Sequence, residues 1–155
     1  MSLPAERAAA AERPVLPDAA LAAVRADLGR ARAALTEAEG SDRPGSRYLA
    51  AQLAALRTAA VVLALRGRTG RSSRSGGPRN AWQLLAEVAP ELGEWAAFFD
   101  TTQARRDAVR GGAWVSAREA DDLLRDAQAF LGLIERVLAP VLHERRTDVR
   151  ATPPG

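Results

Sequence analysis

The 155-residue sequence contains one histidine, His143, seven residues after Arg136. An arginine can stabilise the charge that builds on a phosphate under attack. An imidazole titrating near neutrality can pass protons to and from a ribose hydroxyl or a leaving oxygen. Together the two side chains suffice for RNA cleavage without a metal. Seven residues are two helical turns, roughly 10.5 Å of rise on nearly the same azimuth. That is too long for one site in an unbroken helix, so the pair needs a kink at Pro140 or a second subunit. The plainer reading is a solvated face. Arg118, Asp122, Arg125, Ala129, Gly132, Arg136 and His143 share one sector, and i, i+4 pairs such as Arg118 with Asp122 contribute only about 0.3 to 0.5 kcal/mol each. Ala129 and Gly132 are small enough on that face to admit a second helix, which suits a homodimer seam.

A second cluster is the stretch from Arg66 to Arg79, RGRTGRSSRSGGPR, which holds Arg66, Arg68, Arg71, Arg74 and Arg79 and no acid. The formal charge of the chain is +3, so without these five arginines the remainder stands at about −2. Such a run reads either as a flexible, solvated connector or as a polyanion contact whose affinity is salt-sensitive and blind to sequence. No aromatic is interleaved for base stacking.

The third candidate is Arg57. Its helical projection lies between those of Leu53 and Val61, with no acid one turn away on either side. A carboxylate from another helix is therefore expected to pair with it, from among Asp121, Asp122, Glu135, Glu87 and Glu94. Such a pair acts more as a register-fixing buried ion pair than as an active-site arginine.

Other chemistries are narrowed by what the sequence lacks. There is no cysteine, which removes disulfides, thiolate metal sites and a cysteine nucleophile. A single histidine rules out a histidine-cluster zinc site. The G-x-x-x-x-G-K loop, the G-x-S-x-G elbow and H-E-x-x-H are all missing, and neither a metal nor a cofactor is expected. All 22 basic residues are arginine, so the pI of about 10.7 overstates the net basicity. The N-terminus lacks the apolar core of a secretory signal. No run approaches the 18 or so uncharged apolar residues of a membrane span. A cytoplasmic location is expected.

The elements that must position these residues are helical. Aromatics are 5% of the chain and alanine is abundant, which favours closely approaching helices over a β-sandwich. The central stretch is Ser46 to Arg66, with Leu49, Leu53, Leu56, Ala60 and Leu63 on one arc and Tyr48, Val61, Val62 and Leu65 over most of the rest. A helix apolar on so much of its circumference belongs inside a bundle. Before it, Pro17 and Asp18 open a helix running to about Glu39, and Gly40 to Gly45 make the connection. Asn80 is a good N-cap for Ala81 to Ala89, and Pro90 breaks that helix. Leu92, Trp95, Phe98 and Phe99 then form a core stripe, and Gly111 and Gly112 stop their helix. Ser116 and Glu119 form a capping box for a long last helix, whose apolar seam runs from Ala120 to Leu142. Pro140 is expected to kink or end it.

Three blocks carry a family resemblance: RYLAAQLAALRTAAVVLALRGR, AWQLLAEVAPELGEWAAFF and EADDLLRDAQAFLGLIERVL. With them the chain resembles an actinobacterial family of HEPN-domain proteins, small helical bundles named for nucleotide binding in higher eukaryotes and prokaryotes. The resemblance implies an all-α antiparallel bundle of about five helices over residues 17–147. Tails at 1–16 and 148–155 are expected to be disordered, and 66–79 to be a flexible loop. It also implies a homodimer, RNA or nucleotide as ligand, and nucleotidyltransferase-type partners in toxin–antitoxin or stress-related systems. HEPN ribonucleases carry an Arg, four to six residues and a His across the dimer. Arg136, six residues and His143 meet the loosest form of that motif, with Val137 where a polar residue is usual and Pro140 interrupting. The expectation is a non-catalytic or weakly catalytic binding module, with a metal-independent endoribonuclease and a purely structural interaction module as the alternatives.

Overall fold

Glycine, proline and capping residues set where the helices begin and end. In the computed structural model, which describes residues 16–67 and 80–150, α1 spans Asp18–Gly40, α2 Pro44–Gly67, α3 Ala81–Val88, α4 Gly93–Arg110 and α5 Ala117–Arg150. A 3-10 turn, Pro90–Leu92, joins α3 to α4. No strand occurs among the described residues, and the architecture is the expected all-α bundle. Pro44 and Gly45 open α2 instead of preceding it. Arg66 and Gly67 belong to its last turn, so the basic segment starts inside a helix. Residues 1–15, 68–79 and 151–155 lie outside the described residues, and with them Arg68, Arg71, Arg74 and Arg79.

Two capping expectations resolve differently. Asn80 accepts from the Gln83 amide at 2.9 Å while the Gln83 side chain accepts from the Asn80 amide at 3.2 Å, a reciprocal box that ties down the start of α3. Ser116 accepts from the Glu119 amide at 3.0 Å. The Glu119 carboxylate instead takes Arg105, with Nε to Oε1 at 2.7 Å and Nη2 to Oε2 at 2.9 Å. This half-box therefore also staples α4 to α5.

Polar contacts fix the helix directions. Arg32 with Glu135 and Gln128 with Glu39 set α1 antiparallel to α5. Arg47 with Asp121 sets α2 parallel to α5. Gly45 lies against Val109, so α4 runs opposite to α2. The core holds Trp82 stacked on Phe99 at 4.9 Å and Trp95 stacked on Phe130 at 5.3 Å. Of the expected α4 stripe, Leu92 and Phe99 are buried, Trp95 is half-buried and Phe98 is 41% exposed.

The central helix is rotated from what residue size suggests. Its buried face is Tyr48, Ala50, Ala51, Gln52, Ala54, Ala55, Thr58, Ala59, Val61 and Val62. Leu49, Leu53, Leu56 and Leu63 are half-buried, and Ala60 is exposed. Small side chains let α1, which buries its own Ala31, Ala34 and Ala38, approach α2 closely. The leucines flank that contact and form a stripe along its edge. By length and composition Pro44–Arg66 could cross a membrane, at a mean hydropathy of 1.7, yet 56% of that apolar window is buried inside the bundle. A core helix passes the same test.

Candidate functional site: the groove between α1 and α5

The last helix continues through Pro140 to Arg150, past the point where a kink or an end was expected and into the region expected to be a tail. Pro140 lacks the N–H that would bond the Arg136 carbonyl. Both residues are exposed, so water can take that carbonyl and the helix continues. Apart from the half-buried Leu124, the apolar seam is buried as far as Ile134, and Val137 is exposed. Beyond that point α5 meets the first turns of α1, where Arg25 donates to the Leu142 carbonyl at 3.3 Å.

A groove of about 520 Å³ opens there, lined by Arg25, Leu28 and Arg32 of α1 and by Glu135, Ala139, Leu142 and His143 of α5. Leu28, Ala139 and Leu142 form an apolar floor, with the charged groups around it. Arg32 Nε donates to Glu135 Oε1 at 2.9 Å, and this hydrogen bond holds the Arg32 guanidinium above its usual pKa. Glu135 neutralises Arg32, and Arg25 and His143 lie beside that pair. Arg136 does not line the groove; it is exposed and makes no polar side-chain contact among the described residues. Within one chain, His143 thus keeps company with Arg25 and Arg32, not with Arg136. Sequence reading missed both partners, which lie more than a hundred residues from His143. Two arginines seven residues apart on the polar edge of α1, Arg25 and Arg32, were the available signal.

The expected ion pair of Arg57 does not form. Asp121 pairs with Arg47, and Asp122 lies 3.8 Å from Arg125 on its own helix. The reason is register. Parallel packing of α2 on α5 sets the start of one beside the start of the other, which brings Arg47 to Asp121 and carries Arg57 about 15 Å further along. Arg57 is half-buried beside the leucine stripe and has no carboxylate partner among the described residues. Its long stem can cover leucine while the head reaches water.

Arg66 donates to the Val88 carbonyl at 3.3 Å and pairs with Glu91. Glu91 is held below its ordinary pKa, first by a backbone hydrogen bond at its own position and then by Arg66. Of the five arginines in the basic stretch, this one fastens α2 to the turn before α4. Because α2 and α5 run in the same direction from the Arg47–Asp121 pair, nineteen residues on, about 28 Å, Arg66 stands level with Pro140. The basic segment therefore leaves the bundle at the end that carries the groove. Among the described residues no group of His, Asp and Glu side chains could hold a metal ion.

The described helices form an all-α bundle with a groove lined by arginine, glutamate and histidine at one end. The sequence matches the SAV_6107-like HEPN family over residues 38–135. That is more than half of the chain, and the protein belongs to this HEPN family. No curated protein and no solved structure matches the sequence. The matched span takes in Arg57, the basic segment, Asp121 and Asp122, and ends immediately before Arg136.

Proposed function

We propose that the protein is a non-catalytic or weakly catalytic, cytoplasmic HEPN module that binds RNA through cations gathered at one end of its bundle. The observation that supports this most is shared placement. The five-arginine segment departs from α2 at the end where Arg25, Arg32 and His143 line a groove. Phosphates would meet the segment first, and the groove would take one phosphate against Arg25 while Glu135 keeps Arg32 oriented. Such binding releases counterions, so the affinity falls steeply with salt, with a slope near 0.7 per neutralised phosphate for single strands. Titration of a labelled RNA at several salt concentrations tests it. The variant with Arg68, Arg71 and Arg74 changed to Ala should bind more weakly and lose about 2 from that slope. Equal binding by parent and variant removes the segment from the function.

A metal-independent endoribonuclease is the second reading, supported by the exposure of both Arg136 and His143. It requires a second copy to bring one to the other. Cleavage of mixed-sequence RNA in EDTA, lost in folded Arg136→Ala and His143→Ala variants, would establish it. Intact RNA would leave the binding reading alone.

A further inference from the structure

Beside the staple between α4 and α5 lies a second hollow, of about 390 Å³, bounded by Tyr48 of α2, Phe98 of α4 and the first turns of α5. Tyr48 is only 3% exposed, and its hydroxyl makes no hydrogen bond among the described residues. The side-chain atoms that are both enclosed and unbonded belong to Gln52 and Trp82, so the phenolic oxygen keeps its opening on the hollow. Burial, and then the charge of Glu119, push its pKa up, which keeps it a neutral hydroxyl with lone pairs to offer. Gln52 follows one turn along the same face of α2. It is wholly buried, and neither its amide oxygen nor its nitrogen has a partner among the described residues. Because Arg47 is set against Asp121, parallel packing brings Gln52 level with Asp126. Buried polar groups are ordinarily paired. A phenol and an amide left unbonded one turn apart mark a polar strip that no protein group satisfies.

The wall across from this strip is acidic. Three carboxylates and one guanidinium line the hollow, those of Glu119, Asp122, Asp126 and Arg118. Arg105 takes Glu119. Arg125 stays 3.8 Å from Asp122, beyond hydrogen-bonding distance. Asp126 forms no ion pair among the described residues; burial, and then the charge of Asp122, hold its carboxyl above the usual range, and Arg125 offsets this only in part. Asp122 and Asp126 stand one turn apart, about 6 Å along α5. Leu123 and the exposed ring of Phe98 supply the apolar surface between the charged groups.

We infer that this hollow binds a short linear alkyldiamine, with one ammonium between Asp126 and the Tyr48 hydroxyl, its methylenes over Leu123 and Phe98, and its other ammonium at Asp122. An ammonium has three donors and no acceptor, and the phenolic oxygen and the two carboxylates all accept. A four-carbon spacer separates its nitrogens by about one helical turn. The Phe98 ring adds attraction for a cation passing its face. A guanidinium would fork onto a single carboxylate and leave the phenol unused. A divalent ion needs more oxygen ligands than are gathered here. The hollow lies toward the other end of α5 from the groove of Arg25 and His143, so this site and the RNA reading can fail separately.

Tyr48 is the only tyrosine in the chain, and isotope-labelled tyrosine therefore gives ring signals from this hollow alone. Titration of the full chain with diaminobutane at fixed ionic strength should shift those signals saturably at millimolar concentration. Butylammonium should bind several-fold more weakly, and sodium and magnesium should leave the signals in place. In calorimetry, Asp126→Asn should weaken diamine binding by about tenfold. Tyr48→Phe, which keeps the ring packing, should weaken it by a few-fold. Asp122→Asn should erase the preference for the diamine over butylammonium. Arg118→Gln should tighten binding, because it removes the one competing cation on the rim. Thermal melts establish that each variant is folded. No saturable shift, an equal shift with magnesium, or a folded Asp126→Asn variant that binds as the parent does would each overturn the assignment. Tighter binding of a lysine-bearing peptide that displaces the diamine would overturn it too, in favour of a protein partner.

Discussion

Ala55 and Leu56 are neighbours on α2 whose importance is the reverse of what their sizes suggest. Ala55 is fully buried on the face that packs with α1 and α5, whereas Leu56 is half-buried on the leucine stripe. Ala55→Leu adds three carbons where there is no space for them. Alanine and leucine have similar helix propensities, so the change tests packing. Overpacking of this kind costs about 1 to 3 kcal/mol, or more where the backbone must move. Leu56→Ala removes the same atoms from a half-solvated position. A fully buried leucine costs about 2 to 5 kcal/mol on truncation, and at half burial the loss falls to about 1 to 2 kcal/mol. At this chain length each kcal/mol moves the melting temperature by about 2 to 4 °C. Urea unfolding of the parent and both variants, with thermal melts alongside, measures the comparison. If Ala55→Leu melts at or above the parent while Leu56→Ala loses more than about 3 kcal/mol, α2 faces its leucines inward and the packing described above is wrong. A loss at Leu56 that grows with protein concentration would show that a second copy covers the stripe.

Acid should weaken the staple between α4 and α5. Glu119 is held below its ordinary pKa, first by its hydrogen bond from Arg105 and then by that residue's charge. A depressed carboxylate contributes stability that is present above the unfolded value, about 4.3 for Glu, and is lost as pH falls through the folded value. The urea midpoint of the parent should therefore drop below about pH 4.5 more steeply than that of Glu119→Gln, and parallel pH profiles would remove the pair from the account. Arg57→Met should shift stability by no more than about 0.5 kcal/mol, since the stem is kept and no carboxylate is stranded. A loss of about 3 kcal/mol in thermal melts would mean that Arg57 has a buried partner after all.

Much of this molecule was legible in its amino-acid order. The helix limits follow from residues whose effect is local: Asn80 caps, Pro90 breaks, and Gly111 with Gly112 stops. The class follows from alanine-rich periodicity, and the HEPN resemblance came from three blocks of helix. Periodicity did not fix which side of an almost wholly apolar helix turns inward. Leucine and alanine both count as apolar, and the choice between them was made by how closely α1 could approach α2.

Pairing lay further still from local order. Arg57 looked like a cation in need of an acid because its own helix offered none, but a carboxylate goes to the cation that helix register brings to it. Parallel packing of α2 and α5 awarded Asp121 to Arg47. The same holds for His143, whose azimuth along α5 pointed to Arg136 while antiparallel docking of α1 placed Arg25 and Arg32 around its groove. Composition and spacing determine which elements form and which side chains carry charge. Which of those charges meet, and which ring is left facing water, is decided when helices more than a hundred residues apart settle against one another, because the hydrophobic contacts that fix their register far outweigh any single surface ion pair.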